Sequence, residues 1–209
     1  MNLKASSKIP LQVGITGGIG AGKSIVCKVF KCLDVPVYDA DYRAKWLVDH
    51  HSGLKTDIIS LLGSEAFTAE GLYNRSFVAA QVFGNPTLLA SLNALIHPVV
   101  FTDTDQWVKA HMQVPYVLKE AALMNRAGDR NSLDVVIVVE APLHLRVNRV
   151  KKRDQRSIQE IESIIARQIS DSDREKIANY TIVNDDQQAI IPQVVRLHAQ
   201  LIALANAHI

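Results

Sequence analysis

The chain has 209 residues, 48% of them hydrophobic, and a formal net charge of +2, so it can bury one core and still hold an inserted subdomain. Its apolar runs are too short to cross a bilayer, and residues 1–10 lack the apolar centre of a signal peptide. These properties exclude a membrane protein and predict a soluble, cytoplasmic one, either a monomer or a small homo-oligomer.

The first predicted strand and helix, Leu11–Thr16 and Lys23–Cys32, flank a glycine-rich segment. Gly17–Ser24 fills every fixed position of the phosphate-binding loop G-x-x-x-x-G-K-[ST]. Glycines let backbone N–H groups point at a polyphosphate, and a helix N-terminus adds partial positive charge. A dinucleotide-binding turn, the alternative, has no use for the Lys-Ser pair. The predicted nucleotide contacts are Gly17, Gly18, Ile19, Gly20, Ala21, Gly22, Lys23, Ser24 and Ile25.

Two side chains of this loop have distinct predicted roles. Lys23 is expected to reach the β- and γ-phosphates of the nucleotide, and the Ser24 hydroxyl is expected to ligate Mg²⁺. The expected cofactors are therefore ATP and Mg²⁺, both of which are available in the cytoplasm.

The second predicted strand, Val35–Tyr38, is followed at once by two acids, Asp39 and Asp41. Ligands gather at this edge of an open parallel sheet, so either carboxylate could activate a phosphate acceptor. Either could equally cap the helix predicted from Tyr42. Asp41 is the favoured functional acid, and Asp39 stays open between the two roles.

A long and almost purely helical stretch separates the second strand from the third. The predicted helices there are Tyr42–Val48, Leu54–Leu62, Ser76–Phe83 and Pro98–His111. A crossover of this length predicts a helical insertion over about residues 51–113 that binds the acceptor substrate.

Two further strands, Val114–Lys119 and Val135–Val139, precede a strongly basic segment, Arg146–Arg156. Acidic residues outnumber basic ones in the rest of the chain, so the positive charge is local and suits a compact anion. The segment lacks the aromatic residues that would stack on bases, which argues against a nucleic-acid partner. It predicts a basic lid over about residues 146–177, with helices at Leu143–Lys152 and Ser157–Gln168.

The last predicted strand is Tyr180–Val183, and the last helix is Gln188–Asn206. Strands that alternate with helices indicate an open parallel α/β sheet, here a three-layer nucleotide-binding fold of about five strands. We expect a single kinase domain whose core comprises about residues 9–50, 114–145 and 178–209.

Taken together, the phosphate-binding loop, the helical insertion and the basic lid favour a small-molecule kinase. Phosphoryl transfer needs positive charge around the transferred group and exclusion of water, and a closing lid supplies both. The N-K-x-D segment typical of guanine-specific proteins is absent. A non-catalytic ATP-binding regulatory protein is the alternative from another class.

Several segments, in order along nearly the whole chain, resemble motifs of the dephospho-coenzyme A kinase family. These segments are GITGGIGAGKS at 14–24, Asp39-Ala40-Asp41, Gly71–Arg75, Leu92–Pro98 with its His97-Pro98 pair, Arg149 with Arg153-Asp154, Gln168 and Asn184. The resemblance implies transfer of the ATP γ-phosphate to the ribose 3′-hydroxyl of dephospho-coenzyme A, the last step of coenzyme A synthesis.

The resemblance also implies residue roles. Asp41 becomes the proton acceptor for the 3′-hydroxyl, and Arg75 and His97 become acceptor-binding residues. Arg149 becomes an ATP contact with a part in catalysis, and Asn184 a nucleotide contact. A kinase of another small acceptor, such as a nucleotide or a hydroxylated metabolite, remains the alternative within the same fold.

The chain departs from the family pattern at two places. After the third strand the family has a P-L-L-x-E segment, and its glutamate is matched here by Asn125. Glu120 is then the acid that could orient Mg²⁺ through a water molecule. The second departure is Arg146, which stands where the family has a lid glutamine.

Overall fold

The computed structural model describes residues 9–121, 124, 127–128 and 131–207. The chain divides into two compact units. One contains the described residues up to Asp39 and from Val108 onward, and the other is Ala40–Trp107.

The first unit is built on a five-stranded sheet in the order β2-β3-β1-β4-β5, in which every neighbouring pair is parallel. The strands are β1 (Leu11–Thr16), β2 (Val37–Asp39), β3 (Tyr116–Glu120), β4 (Val135–Glu140) and β5 (Tyr180–Val183). The predicted parallel α/β sheet is confirmed. Because all strands run the same way, the segments that follow them meet at one edge.

Helices follow β1, β2, β4 and β5 along the chain. They are α1 (Lys23–Cys32), α2 (Ala40–His50), α3 (Ser52–Leu62), α4 (Arg75–Val82), α5 (Pro86–Ala110), α6 (Leu143–Asp154), α7 (Ile158–Ala166), α8 (Asp171–Ile177) and α9 (Ile190–Ala207). A short 3₁₀ turn lies at Ser64–Ala66. Among the described residues, no helix combines the length and apolarity that crossing a membrane requires.

Both faces of the sheet are covered. On one face, α1 and α9 pack against alternate strand residues that include Val13 and Ile137. On the other face, Val136 and Val138 of β4 pack with Ile177 of α8. Burial on both sides explains why β4 is apolar almost throughout.

The second unit has a core of its own. Leu54 of α3, Val78 of α4 and Leu92 of α5 are buried together in it. Val48 of α2 belongs to the same cluster, so α2 packs with the helical unit, which begins at Ala40.

The predicted start of a helix at Pro98 is wrong, because α5 begins at Pro86 and Pro98 lies inside it. The side chain of Asn85 accepts a hydrogen bond from the Leu88 N–H at 3.0 Å. An asparagine cap followed by proline at the first helical position is a stronger start signal than an isolated proline.

The short helix α8 was not predicted. Its sequence, DSDREKI, contains too few apolar residues to show a helical period. Its N-terminus is nevertheless fixed by Ser170, whose side chain accepts a hydrogen bond from the Asp173 N–H at 3.1 Å. The helix is therefore set by its cap and by packing rather than by an apolar stripe.

Candidate active site

The phosphate-binding loop follows β1 and leads directly into α1, as predicted. Lys23 is the first residue of α1, and its Nζ donates a hydrogen bond to the Gly17 carbonyl at 3.0 Å. This bond holds the ammonium across the opening of the loop. The ammonium thus lies beside the first residue of the loop, and its contact with the β- and γ-phosphates stays a prediction.

Two glycines of the loop leave space for neighbouring side chains. Gly22, which precedes α1, has φ of 98°, and a Cβ there would collide with Nδ2 of Asn184. A Cβ on Gly18 would collide with the guanidinium of Arg146. Arg146, which follows β4, and Asn184, which follows β5, therefore contact the loop directly.

A hydroxyl and two acids lie at the carboxyl edge of the sheet. Asp39 and Glu120, the last residues of β2 and β3, are paired in register. The Ser24 hydroxyl is 3.5 Å from Oε1 of Glu120. Mg²⁺ takes oxygen ligands of this kind. The described residues contain no cluster of three or more acidic, histidine or cysteine side chains placed to hold a metal, so phosphate oxygens and water would complete its coordination.

Cys27 lies one turn after Ser24 on α1 and is buried. Burial raises the pKa of its thiol well above the usual range, and the nearby charge of Glu120 raises it further. The thiol is therefore neutral and packs as a small apolar side chain.

Arg149 and Asn184 are brought together against the back of the phosphate-binding loop. Nη2 of Arg149 donates to the backbone oxygen and to Oδ1 of Asn184 at 3.1 and 3.2 Å, and to Oδ1 of Asp186 at 2.5 Å. Nη1 of Arg149 is 3.4 Å from the Gly20 carbonyl. The buried Asn184 in turn donates from Nδ2 to the Ala21 carbonyl at 2.7 Å. Two predicted residues thus form one hydrogen-bonded cluster with the loop.

We expect Arg149→Ala to weaken ATP binding about 10-fold or more, because Arg149 is the predicted ATP contact and one charge-assisted hydrogen bond contributes about 1.5–3 kcal/mol. The substitution releases Asn184 and leaves Asp186 unpaired beside the loop. Equilibrium titration with ATP measures the loss. Arg196→Ala, which removes an exposed arginine of α9, is the matched control. Equal affinities for the two variants would remove Arg149 from the nucleotide site.

A second cluster of hydrogen bonds holds the phosphate-binding loop at the backbone of Ile19. Nε of Arg146 donates to the Ile19 carbonyl at 3.1 Å, and the Ile19 N–H donates to Oε1 of Gln168 at 2.9 Å. Arg146 is buried, and its Nη1 is 2.8 Å from Oδ1 of Asp171, to which Arg174 also donates. The sequence singled out Ile19, Arg146 and Gln168 separately, but it did not predict that they meet, since they are far apart along the chain.

The ion pairs of this cluster determine the charge of Asp171. Burial by itself would raise the pKa of the Asp171 carboxyl, but Arg146 and Arg174 outweigh burial and lower it. The carboxylate therefore stays ionised between the two guanidinium groups.

The predicted acceptor residues lie in the helical unit. Asp41 is exposed in the first turn of α2, two residues after β2 ends. Arg75 is the exposed first residue of α4, and His97 is exposed in α5 directly before Pro98. The structure shows no hydrogen bond or ion pair between the side chains of Arg75 and His97, both of which it describes. Their roles stay predictions, and Asn125 lies outside the described residues.

The helical unit also contains a polar cluster that the sequence reading missed. Nε of Arg43 donates to Oδ2 of Asp103 at 2.9 Å, and its guanidinium carbon lies 4.4 Å from the ring centroid of Trp46. The His50 ring stacks on the same indole at 4.4 Å. The cluster joins α2 to α5 and fixes the helix that carries Asp41.

The chain is similar in sequence to a family of kinases. The family model described as dephospho-CoA kinase matches residues 11–189. The dephospho-CoA kinase of Bacteroides fragilis (strain YCH46) is 34% identical over 191 residues, which cover 91% of this chain and 93% of that protein. The dephospho-CoA kinase of Porphyromonas gingivalis is 35% identical over 188 residues, which cover 90% and 92%.

Two solved structures resemble this one. A protein of Thermus thermophilus has a TM-score of 0.79 at 27% identity, with 94% of this chain and 98% of that chain covered. The dephospho-CoA kinase from Campylobacter jejuni has a TM-score of 0.62, with 93% and 98% covered, and at 19% identity it supports the fold alone. Both likenesses extend through nearly the whole chain.

Proposed function

Since the chain belongs to the dephospho-CoA kinase family, we propose that it transfers the γ-phosphate of ATP to the ribose 3′-hydroxyl of dephospho-coenzyme A. The 3′-oxygen attacks the γ-phosphorus, and the bond between that phosphorus and the β–γ bridging oxygen breaks. The hydroxyl proton passes to a carboxylate of the enzyme. The products are ADP and coenzyme A. We place the reaction in the cytoplasm, where its cofactors are available.

The observation that best supports phosphoryl transfer is the arrangement at the sheet edge. Lys23, held at the Gly17 carbonyl, would neutralise charge that develops on the β- and γ-phosphates. Ser24 and Glu120 would hold Mg²⁺, the hydroxyl directly and the acid through water. When bound, the ion would neutralise negative charge on the phosphates and orient the γ-phosphate for transfer.

The remaining roles concern the two substrates. Arg149 and Asn184 contact the back of the loop, where they would hold the nucleotide. Asp41 lies two residues after Asp39, the last residue of β2, and we assign it the proton of the 3′-hydroxyl. Arg75 and His97 are exposed polar groups of the helical unit, and we assign them to the acceptor.

An acceptor panel tests the proposed reaction. With Mg-ATP present, we expect kcat/KM for dephospho-coenzyme A to exceed that for adenosine monophosphate by at least about 100-fold. The physical reason is that polar groups built to bind the larger acceptor stay unpaired with the smaller one. Release of ADP measures the rate, and product mass confirms that the acceptor was phosphorylated.

Two results would contradict the proposal in different ways. Comparable rates for both acceptors would favour a kinase of another small molecule on the same fold. No ADP release with any acceptor, despite tight ATP binding, would favour the non-catalytic alternative. ATP binding without acceptor, measured by calorimetry, separates these two results.

A further inference from the structure

Arg146 carries a buried donor that no described residue satisfies. Its side chain is 2% exposed, and its Nη2 has no hydrogen-bond partner among the described residues. Nε and Nη1 are both used, on Ile19 and Asp171. A buried, unpaired N–H of a cation is costly, so its orientation towards a particular space indicates a ligand.

The free donor lies over the phosphate-binding loop. A Cβ on Gly18 would meet Nη2 before any other atom, so this nitrogen lies directly above that residue. Gly18 and Arg146 both line a cavity of about 360 Å³ at the end of β4. Lys23 is bonded to Gly17, the residue next to Gly18. The two cations therefore contact neighbouring residues of the loop, whose lysine is the predicted ligand of the β- and γ-phosphates.

The cavity is lined by both cations and acids, and Asp171 is the acid that pairs with its two arginines. Asp171 forms ion pairs with both Arg146 and Arg174, so one carboxylate serves two buried guanidinium groups. Glu140, Glu175 and Asp185 line the same cavity, and Oδ1 of Asp185 accepts hydrogen bonds from the N–H groups of Gln187 and Gln188 at 3.0 and 2.8 Å. Burial raises the pKa of Glu140, and the neighbouring Glu175 and Asp171 raise it further. Glu140 is therefore a weaker ion-pair partner for Arg146 than Asp171, whose pKa is lowered.

We infer that Arg146 is a further nucleotide-binding residue, and that its Nη2 donates to a terminal phosphate oxygen of ATP above Gly18. The inference rests on the proposed function only in that the nucleotide is ATP. Asp171 and the Ile19 carbonyl hold the guanidinium in place before the nucleotide arrives. Arg146 thus adds a positive charge at the terminal phosphates. It favours nucleotides that have these phosphates over nucleotides that lack them.

The test compares nucleotides that differ in their number of phosphates. ATP, ADP and AMP are titrated without acceptor into the unmodified protein, Arg146→Gln and Arg196→Gln. We expect Arg146→Gln to weaken ATP binding about 10- to 100-fold and AMP binding less than about twofold, with ADP between them. Arg196→Gln makes the same charge change on the exposed side of α9 and should change none of the three.

A purely structural role predicts a different pattern. If Arg146→Gln weakens all three nucleotides equally, or none, the inference is wrong. Thermal unfolding shows whether the variant is folded, and if it is not, Arg146→Lys replaces it. Lysine keeps the charge but not the fork of donors, so we expect a smaller loss that again affects ATP most. An equal loss for all three nucleotides in that variant also overturns the inference. Turnover of dephospho-coenzyme A by the unmodified protein tests the proposed function independently.

Discussion

Lys23→Ala is expected to lower kcat/KM by at least about 10²- to 10³-fold while the protein stays folded. The ammonium stabilises negative charge that only the nucleotide brings, and that charge grows on the leaving oxygen during transfer. The side chain is half-buried and bonded to the Gly17 carbonyl, so its removal leaves no large cavity in the core. Steady-state kinetics with Mg-ATP and dephospho-coenzyme A measures the effect.

Lys28→Ala is the matched control for that substitution, because Lys28 is an exposed lysine of the same helix, α1. Its turnover should equal that of the unmodified protein. Thermal unfolding should be cooperative in both variants. Normal turnover by Lys23→Ala would exclude the role, and so would loss of cooperative unfolding in that variant alone.

The phosphate-binding loop could be predicted because its chemistry is local. The whole motif Gly17–Ser24 spans eight residues, and its glycines indicate where the backbone needs conformational freedom or close approach. The bounds of β1 and β5 were predicted correctly for a related reason, since short apolar runs bounded by polar residues mark buried strands.

The hydrogen-bonded cluster around Ile19 could not be predicted from the sequence, because its members lie far apart along the chain. Arg146 meets Ile19 across 127 residues, and Gln168 meets it across 149. The basic segment predicted that a cation lies near a phosphate, but its sequence does not indicate which of its arginines is buried. Arg149 and Arg146 lie three residues apart on α6, and helical geometry directs both towards the loop.

Asp41→Asn is expected to lower kcat about 10²- to 10⁴-fold, the usual contribution of a general base. Asparagine keeps the size and one acceptor oxygen of the side chain but cannot take up the proton of the 3′-hydroxyl. ATP affinity should change by less than about threefold, because the proton transfer belongs to the chemical step. Titration with ATP and turnover at saturating substrates separate the two effects.

Asp39→Asn is the variant to compare with Asp41→Asn. Asp39 is half-buried and pairs in register with Glu120, whose carboxylate lies beside Ser24, so its charge belongs to the edge that would hold Mg²⁺. We expect its loss to raise the Mg²⁺ concentration needed for half-maximal rate, an effect that Asp41→Asn should lack. If instead Asp41→Asn keeps a near-normal kcat and Asp39→Asn loses it at saturating Mg²⁺, the proton is taken up by Asp39. Glu120→Gln then tests the remaining acid, since two carboxylates paired at one sheet edge can exchange these roles.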